Sequence, residues 1–211
     1  MSSVRRVVRA GGWVLASSSP RRQLLIKDVL EADFEVLSPC VDELHVADMS
    51  PQDLTLENAR RKAVAASTLR PGAWCLGADT LVFRGGEPLG KPVDLAEARA
   101  MLLALSGGGH EVCTSVWICS ADGRQLGFSQ ISRVWMRVLS ESLISQYHSL
   151  VNPLDKAGGY GIQEHGELII ERLEGSFSNV MGLPTEALHD FLVARFPEAP
   201  GLRRMPGVER S

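Results

Sequence analysis

Two rhythms of apolar and polar positions alternate along the chain. Trp13-Val14-Leu15-Ala16 is an apolar run of strand length that stops at Ser17, Ser18 and Ser19. After Pro20, Leu24, Leu25 and Val29 face one side of a predicted helix ending near Leu30. Proline after a serine marks a helix start, because the N–H it lacks would have had no partner in the first turn. Phe34 to Leu37 reads as a short strand ended by Ser38-Pro39, and Ser50-Pro51 opens a helix to about Leu69. Pro71-Gly72 is a turn; Trp74 to Ala78 is a buried strand that runs through Asp79-Thr80 into Leu81-Val82-Phe83. Gly85-Gly86 is a hairpin turn, and Asp94 with Glu97 forms a capping box on a helix whose Leu95, Ala98, Leu102 and Leu105 point inward. Long β-like runs, His110 to Cys119 and Gln125 to Val138, flank the hairpin signal Asp122-Gly123. Ser140 caps a helix carrying Leu143, Ile144, Tyr147 and Leu150. A glycine-rich polar loop, Asn152 to Gly166, precedes a predicted strand at Leu168-Ile169-Ile170 and a turn or short helix at Ser178 to Gly182. Pro184 starts the last helix, with Leu188, Phe191 and Leu192 inward.

This alternation, with one antiparallel hairpin pair, predicts an α/β fold: a mixed sheet with helices on both sides. No repeat and no long linker divides it, so one domain is expected over residues 13–196, with tails at 1–12 and 197–211. The last stretch holds three prolines and three arginines and reads as frayed. Hydrophobic residues at 45% and charged residues at 22% are ordinary for a globular protein. A net charge of −3 offers no global field for nucleic acid or a membrane surface, so any anion site must be local. None of the apolar runs approaches the roughly 20 residues of a membrane span. The four cysteines form no C-x-x-C pair and read as buried, reduced thiols of a reducing compartment, the cytoplasm. Arginines without acids in the first 27 residues resemble a transit peptide, but the strand at Trp13 leaves too little sequence for a removable leader.

The candidate chemistry begins at the serine turn. Free amides at a helix start suit an anion, and Arg21 and Arg22 in that turn oppose the helix dipole, which points either to a phosphate site or to solvated arginines on a capped helix. Lys62 lies on the apolar side of its helix, where a lysine snorkels or meets an anion. Lys91 follows Gly90 in a loop. Asp79 interrupts an apolar strand, which is costly unless it is paired or metal-bound. Glu43 is a second acid, in the loop after Cys40. Converging, these groups would neutralise a polyphosphate and hold a divalent cation such as Mg²⁺ or Mn²⁺. The five histidines are scattered and form no zinc set, and no Walker loop, G-x-S-x-G or dinucleotide-binding glycine loop is present.

Five segments in order, LASSSPRRQLL (15–25), GADTLV (77–82), GKP (90–92), DKAGGYGIQ (155–163) and NVMGLP (179–184), resemble the Maf family. The resemblance implies a nucleoside triphosphate pyrophosphatase with a divalent metal, a homodimer, and a fold similar to inosine triphosphate pyrophosphatases, an elongated sheet joining two lobes with the active site in the cleft. It implies that Asp79 accepts the proton of the attacking water and contacts the metal, with Glu43 as a loop acid and second metal candidate. Arg21, Arg22, Lys62 and Lys91 would hold the substrate, and Ser17 belongs to the same turn. Arg21, Thr80 and Gln163 fall at positions tied to substrate choice, and Gln163 in YGIQ resembles the branch acting on dTTP and UTP rather than that acting on 7-methyl-GTP. A regulator of septum formation is the alternative of another class. The chain departs from the family's pattern at Gly159, where alanine is usual, and at Glu164, where glycine is common.

Overall fold

The structure, a computed structural model, describes residues 11–44 and 49–203. His45 and the basic residues Arg5, Arg6 and Arg9 lie outside them, as does the end of the chain from Arg204. In chain order the strands are β1 (Trp13–Ala16), β2 (Phe34–Val36), β3 (Trp74–Arg84), β4 (Glu87–Leu89), β5 (Gly109–Cys119), β6 (Gln125–Met136) and β7 (Ile170–Glu174). The helices are α1 (Pro20–Leu25), α2 (Pro51–Leu69), α3 (Leu95–Leu105), α4 (Glu141–Leu150), α5 (Gly166–Ile169), α6 (Phe177–Met181) and α7 (Thr185–Arg195). The described strands form a single mixed sheet in the order β2-β1-β3-β5-β6-β7, with β4 paired to β3. β1 runs parallel to β2 and β3, and the remaining pairings are antiparallel. The expected mixed α/β fold is therefore present.

Strand periodicity sorts β3 between two layers. Cys75, Leu81 and Phe83 join the clusters packed with α2, whereas Trp74, Leu76, Ala78 and Val82 face the opposite layer. That layer is built from α1 and α7 under one half of the sheet and from α3 and α4 under the other. Helix α2 lies very close to β3 at Gly77. A Cβ there would stand 2.2 Å from the Ala59 carbonyl oxygen and 2.6 Å from the Ala63 nitrogen, so only glycine lets the two backbones meet.

The punctuation residues act as expected. Ser19, Ser50, Asp94 and Ser140 each cap a helix by accepting a backbone N–H. The predicted turns at Gly85-Gly86 and Asp122-Gly123 join their strands. Four expectations need correction. Helix α1 tightens after Leu25 into a 3₁₀ turn, Ile26–Asp28, which shifts the helical period. Ile26 takes the core position and Leu24 is left 61% exposed. Leu95 and Leu150 are also exposed rather than inward. The run Leu168-Ile169-Ile170 is not a strand: α5 occupies its first two residues and β7 begins at the third. His165 turns the chain there in a left-handed conformation, φ 54°, and so short an apolar run carries no period to tell helix from strand. Finally, residues 197–203 dock instead of fraying. The buried Trp13 indole donates to the Pro200 carbonyl at 2.9 Å, Ala199 is buried, and Leu202 bridges to Leu30. An indole N–H buried without an acceptor would be costly, which anchors this segment. Cysteines 75, 113 and 119 are buried and free, while Cys40 is exposed. No described helix is long and apolar enough to cross a membrane.

Candidate active site

The site forms where β3 loses a neighbour. On that edge β1 pairs with β3 up to Ala16–Gly77, and β4 takes over only at Val82–Leu89. Between them, Ala78 to Leu81 have no strand alongside. A cleft of about 760 Å³ opens at this fork. All nine candidates, Ser17, Arg21, Arg22, Glu43, Lys62, Asp79, Thr80, Lys91 and Gln163, line it.

Alternation along β3 sends Asp79 and Thr80 to opposite sides. Asp79, only 4% exposed, faces α2. There Lys62 Nζ reaches its Oδ1 at 2.6 Å and Asn58 Nδ2 donates to its Oδ2 at 3.2 Å. Lys62 Nζ also meets Glu43 Oε1 at 2.6 Å, so one ammonium holds two carboxylates. Lys62 and Asn58 are one helical turn apart on the same face, which is why both reach the same acid. Asn58 also ties the Glu43 loop to α2, accepting from the Leu44 N–H at 2.7 Å and donating to the Leu44 carbonyl. Burial alone would raise the Glu43 carboxyl. The charge and hydrogen bond of Lys62, with Lys91 and Arg22 further off, outweigh burial and hold it below the usual glutamate range.

Thr80 anchors the other side. Its Oγ1 accepts from Arg22 Nη2 at 2.9 Å and lies 2.9 Å from Thr114 Oγ1. Arg22 also donates to the Gly182 carbonyl at 2.8 Å and to Ser17 Oγ at 3.3 Å. Ser17 is buried and accepts a second bond, from the Ser19 N–H. The serine turn and the end of α6 are thereby clamped on one guanidinium. Gly182 supports this by ending α6 at φ 114°, a conformation that leaves its carbonyl aimed at Arg22.

Arg21 turns to the glycine-rich loop. Its Nη1 donates to Asp155 Oδ2 at 2.9 Å and its Nη2 to the Asp155 carbonyl at 3.0 Å. Asp155 Oδ1 accepts from Lys156 Nζ at 2.7 Å, and Lys156, 4% exposed, also meets Glu164 Oε2 at 3.1 Å. Glu164 Oε1 in turn accepts from Gln163 Nε2 at 2.8 Å. Burial would raise the Asp155 carboxyl, but its hydrogen bonds from Lys156 and Arg21 hold it low. Behind this loop Tyr160, which also lines the cleft, places its hydroxyl 2.6 Å from His110 Nε2. Burial, with the charge of Arg84, lowers His110 to about 4, so the ring is neutral at physiological pH.

Residues 12–195 match the model of the family described as Maf-like protein. The chain belongs to the Maf family. Among curated relatives, proteins named dTTP/UTP pyrophosphatase are similar to it. That of Akkermansia muciniphila is 46% identical over 81% of this chain and 89% of its own. That of Symbiobacterium thermophilum is 46% identical over 81% and 87%, and that of Hahella chejuensis 44% identical over 81% and 86%. Among solved structures, a nucleoside-triphosphatase / dITP/XTP pyrophosphatase from Mycobacterium abscessus aligns over 89% of this chain and 98% of that one. Its identity is 15% and its TM-score 0.42, a likeness too slight to argue from.

For this Maf family member, sequence reasoning missed Asn58, Asp155 and Lys156 as parts of the site. Asn58 had one signal, its place one helical turn before Lys62. Asp155 and Lys156 had none beyond their motif, since the Arg21–Asp155 contact spans 134 residues. The donor set also fits the metal that the family resemblance implies. Glu43 and Asp79 bring two hard carboxylates into one cleft, and Lys62 Nζ stands 2.6 Å from one oxygen of each. Mg²⁺ asks for one or two carboxylates and takes its other oxygens from water and substrate.

Proposed function

We propose that this chain is a nucleoside triphosphate pyrophosphatase that hydrolyses dTTP and UTP to the monophosphate and pyrophosphate, working as a cytoplasmic homodimer. The observation that carries the reading is the convergence of Glu43 and Asp79 on Lys62 in a cleft also lined by Arg21, Arg22 and Lys91. A carboxylate ringed by cations is the arrangement phosphoanhydride hydrolysis needs: fixed positive charge for the phosphates and one acid to orient water. The names of the relatives support the choice of dTTP and UTP.

In this reading Asp79 is the general base. Lys62 and Asn58 hold it in place, and it takes a proton from water as the oxygen attacks the α-phosphorus. The bond to the β-phosphate oxygen breaks and pyrophosphate leaves. Arg22, positioned by Thr80, Ser17 and Gly182, presents a pre-organised guanidinium to the phosphates, and Lys91 adds a charge from its exposed loop. Glu43 and Asp79 would hold the divalent cation, which when bound supplies charge neutralisation on the polyphosphate. Gln163 sits on the loop wall, where an amide that both donates and accepts suits the O4/N3–H edge of a pyrimidine.

The test is pyrophosphate release from a panel of nucleoside triphosphates with Mg²⁺ or Mn²⁺. Turnover of dTTP and UTP above the purine nucleotides is expected; a panel in which no pyrimidine triphosphate is turned over overturns the substrate reading.

A further inference from the structure

We propose that two copies of this chain join along the free edge of β6, antiparallel about a two-fold axis at Phe128, so that one sheet runs through the dimer. This rests on the homodimer of the reading above and gives that dimer a surface and a register.

Strand β6 is paired on its outer side for only part of its length. β7 begins alongside Arg133 and stays with β6 to Met136. Upstream, Gln125 to Ile131 pair with β5, and among the described residues no strand lies beyond them. The alternation of the ladder tells which groups are left over. Ser120 N–H donates to the Arg124 carbonyl at 2.9 Å and Met136 N–H to the Gly108 carbonyl at 3.0 Å, so the even-numbered residues of β6 bond to β5. The N–H and C=O groups of Gln125, Gly127, Ser129 and Ile131 therefore point to the open side. β7 is kept from covering them. Ser132 Oγ accepts from the Ser176 N–H at 3.0 Å and donates to the Ser176 carbonyl at 3.1 Å, and Gly175 turns the chain away at φ 103°.

Exposed edges are usually blunted by charge, proline or a bulge. This stretch has none of them. Arg124 and Arg133 bound the uncharged run QLGFSQIS (125–132), and the irregularity in β6 falls at Trp135–Met136, where β7 is already paired. The lack of charge favours a second copy as the occupant. Across a two-fold, each residue meets its own copy or a near neighbour of it, so a charged edge would repel itself and this one does not. An axis at Phe128 sets Leu126 opposite the partner's Gln130 and Gly127 opposite the partner's Ser129. Phe128 then meets its own copy at a position where side chains of paired strands come closest. The side chains are available for this: Leu126 is 43% exposed, and Phe128 is half-buried at the sheet margin against Phe191. On the other face, the partner would cover a groove of about 560 Å³ walled by Met49, Leu56 and Trp117, beside Gly127. The active-site cleft stays open, because it lies on the other side of β3, toward β1 and β4.

Sedimentation equilibrium on the full chain tests this with two double variants, Leu126→Lys with Gln130→Lys and Leu126→Glu with Gln130→Glu. Each sets like charges opposite one another, and the dimer dissociation constant should rise about 100-fold. Mixed in equal amounts, the lysine and glutamate chains should form a heterodimer about as tight as the wild-type dimer. A wild-type chain that is monomeric at every concentration overturns the proposal and the homodimer together, and leaves the nucleotide reading standing. Double variants that dimerise as wild type does, or a mixture that stays monomeric, overturn the edge alone. Should the variants misfold, hydrogen exchange in the wild-type protein decides. The amides of Gly127, Ser129 and Ile131 are expected to slow about 100-fold from dilute monomer to dimer. Fast exchange in the dimer, or protection already present in the monomer from a tail of the same chain, overturns the proposal.

Discussion

On the sheet side of the cleft, two carboxylates meet at one atom, Lys62 Nζ. On the loop side, Arg21, Asp155, Lys156, Glu164 and Gln163 stand in a row, each bonded to the next. In the first cluster Asp79 and Lys62 rise from β3 and the long helix α2, whose backbones touch at Gly77, and Glu43 joins them from a loop. Apart from Arg21 on α1, the second rises from a loop containing a 3₁₀ turn with Gly158 and Gly159 at positive φ, 71° and 74°. A convergent cluster concentrates charge where bonds break, and it needs rigid elements to keep like charges close. A chain of alternating partners spreads charge and relays orientation from one side chain to the next, which suits recognition. The difference teaches that this fold puts its proposed general base and the lysine paired with it on regular structure and its proposed selectivity on a loop.

The comparison breaks first at Asp79. Asp79→Asn keeps the shape and the Asn58 contact, and kcat should fall about 10³-fold, within the range of a lost general base. Circular dichroism and thermal unfolding should stay close to wild type; near-wild-type turnover would move the chemistry elsewhere. Lys62→Met comes next. It leaves two carboxylates facing each other without their shared cation, and stability measured in urea should drop by about 3 kcal/mol. If α2 and β3 were held by packing alone, the loss would be far smaller.

Behind the loop wall, His110 predicts a pH effect of known sign. Burial favours its neutral form, lowering it from 6.5 to about 4. The unfolded chain therefore binds more protons between those values, and stability is lost as pH falls from about 6.5 toward about 4. The loss should be on the order of 3 kcal/mol for this nearly inaccessible ring. Glu57, Glu43 and Asp155 have lowered carboxyl values and add to the fall only toward the acid end. His110→Gln, which can still meet the Tyr160 hydroxyl, should flatten the upper part of the curve. The smallest effect belongs to Asp155→Asn. Arg21 and Lys156 lose a half-exposed charge partner, and KM for UTP should shift no more than a few-fold, since such pairs contribute about 0–1 kcal/mol.

What the sequence revealed follows the same divide. Helix starts were legible because Ser-Pro and Asp-x-x-Glu act within one turn, and so were the hairpins at Gly85-Gly86 and Asp122-Gly123. Asp79 stood out because an acid in an apolar strand demands a partner. The identity of that partner was half legible, as a lysine on the wrong face of α2. Contacts such as Arg21–Asp155 and Lys156–Glu164 were not: the first joins a helix to a loop 134 residues away, and the second lies within an irregular loop that has no periodicity to read. Leu24 was misread for a local reason, the change from α to 3₁₀ winding after Leu25. The docking of residues 197–203 was hidden because it rests on contacts with distant segments, the Trp13 indole on the Pro200 carbonyl and Leu202 bridging to Leu30, which leave no local signal.

Gly77 carries a last consequence. With no side chain between them, the distance from α2 to β3 is a contact between backbones, and it has no slack. That contact gauges the span between Lys62 and Asp79, which lie three residues past Ala59 and two past Gly77. A single methyl at position 77 would act as a shim under the helix, widening the gap that the ammonium now closes. Activity would then fail through a dimension rather than through a missing group, with every charged residue still in its place in the sequence.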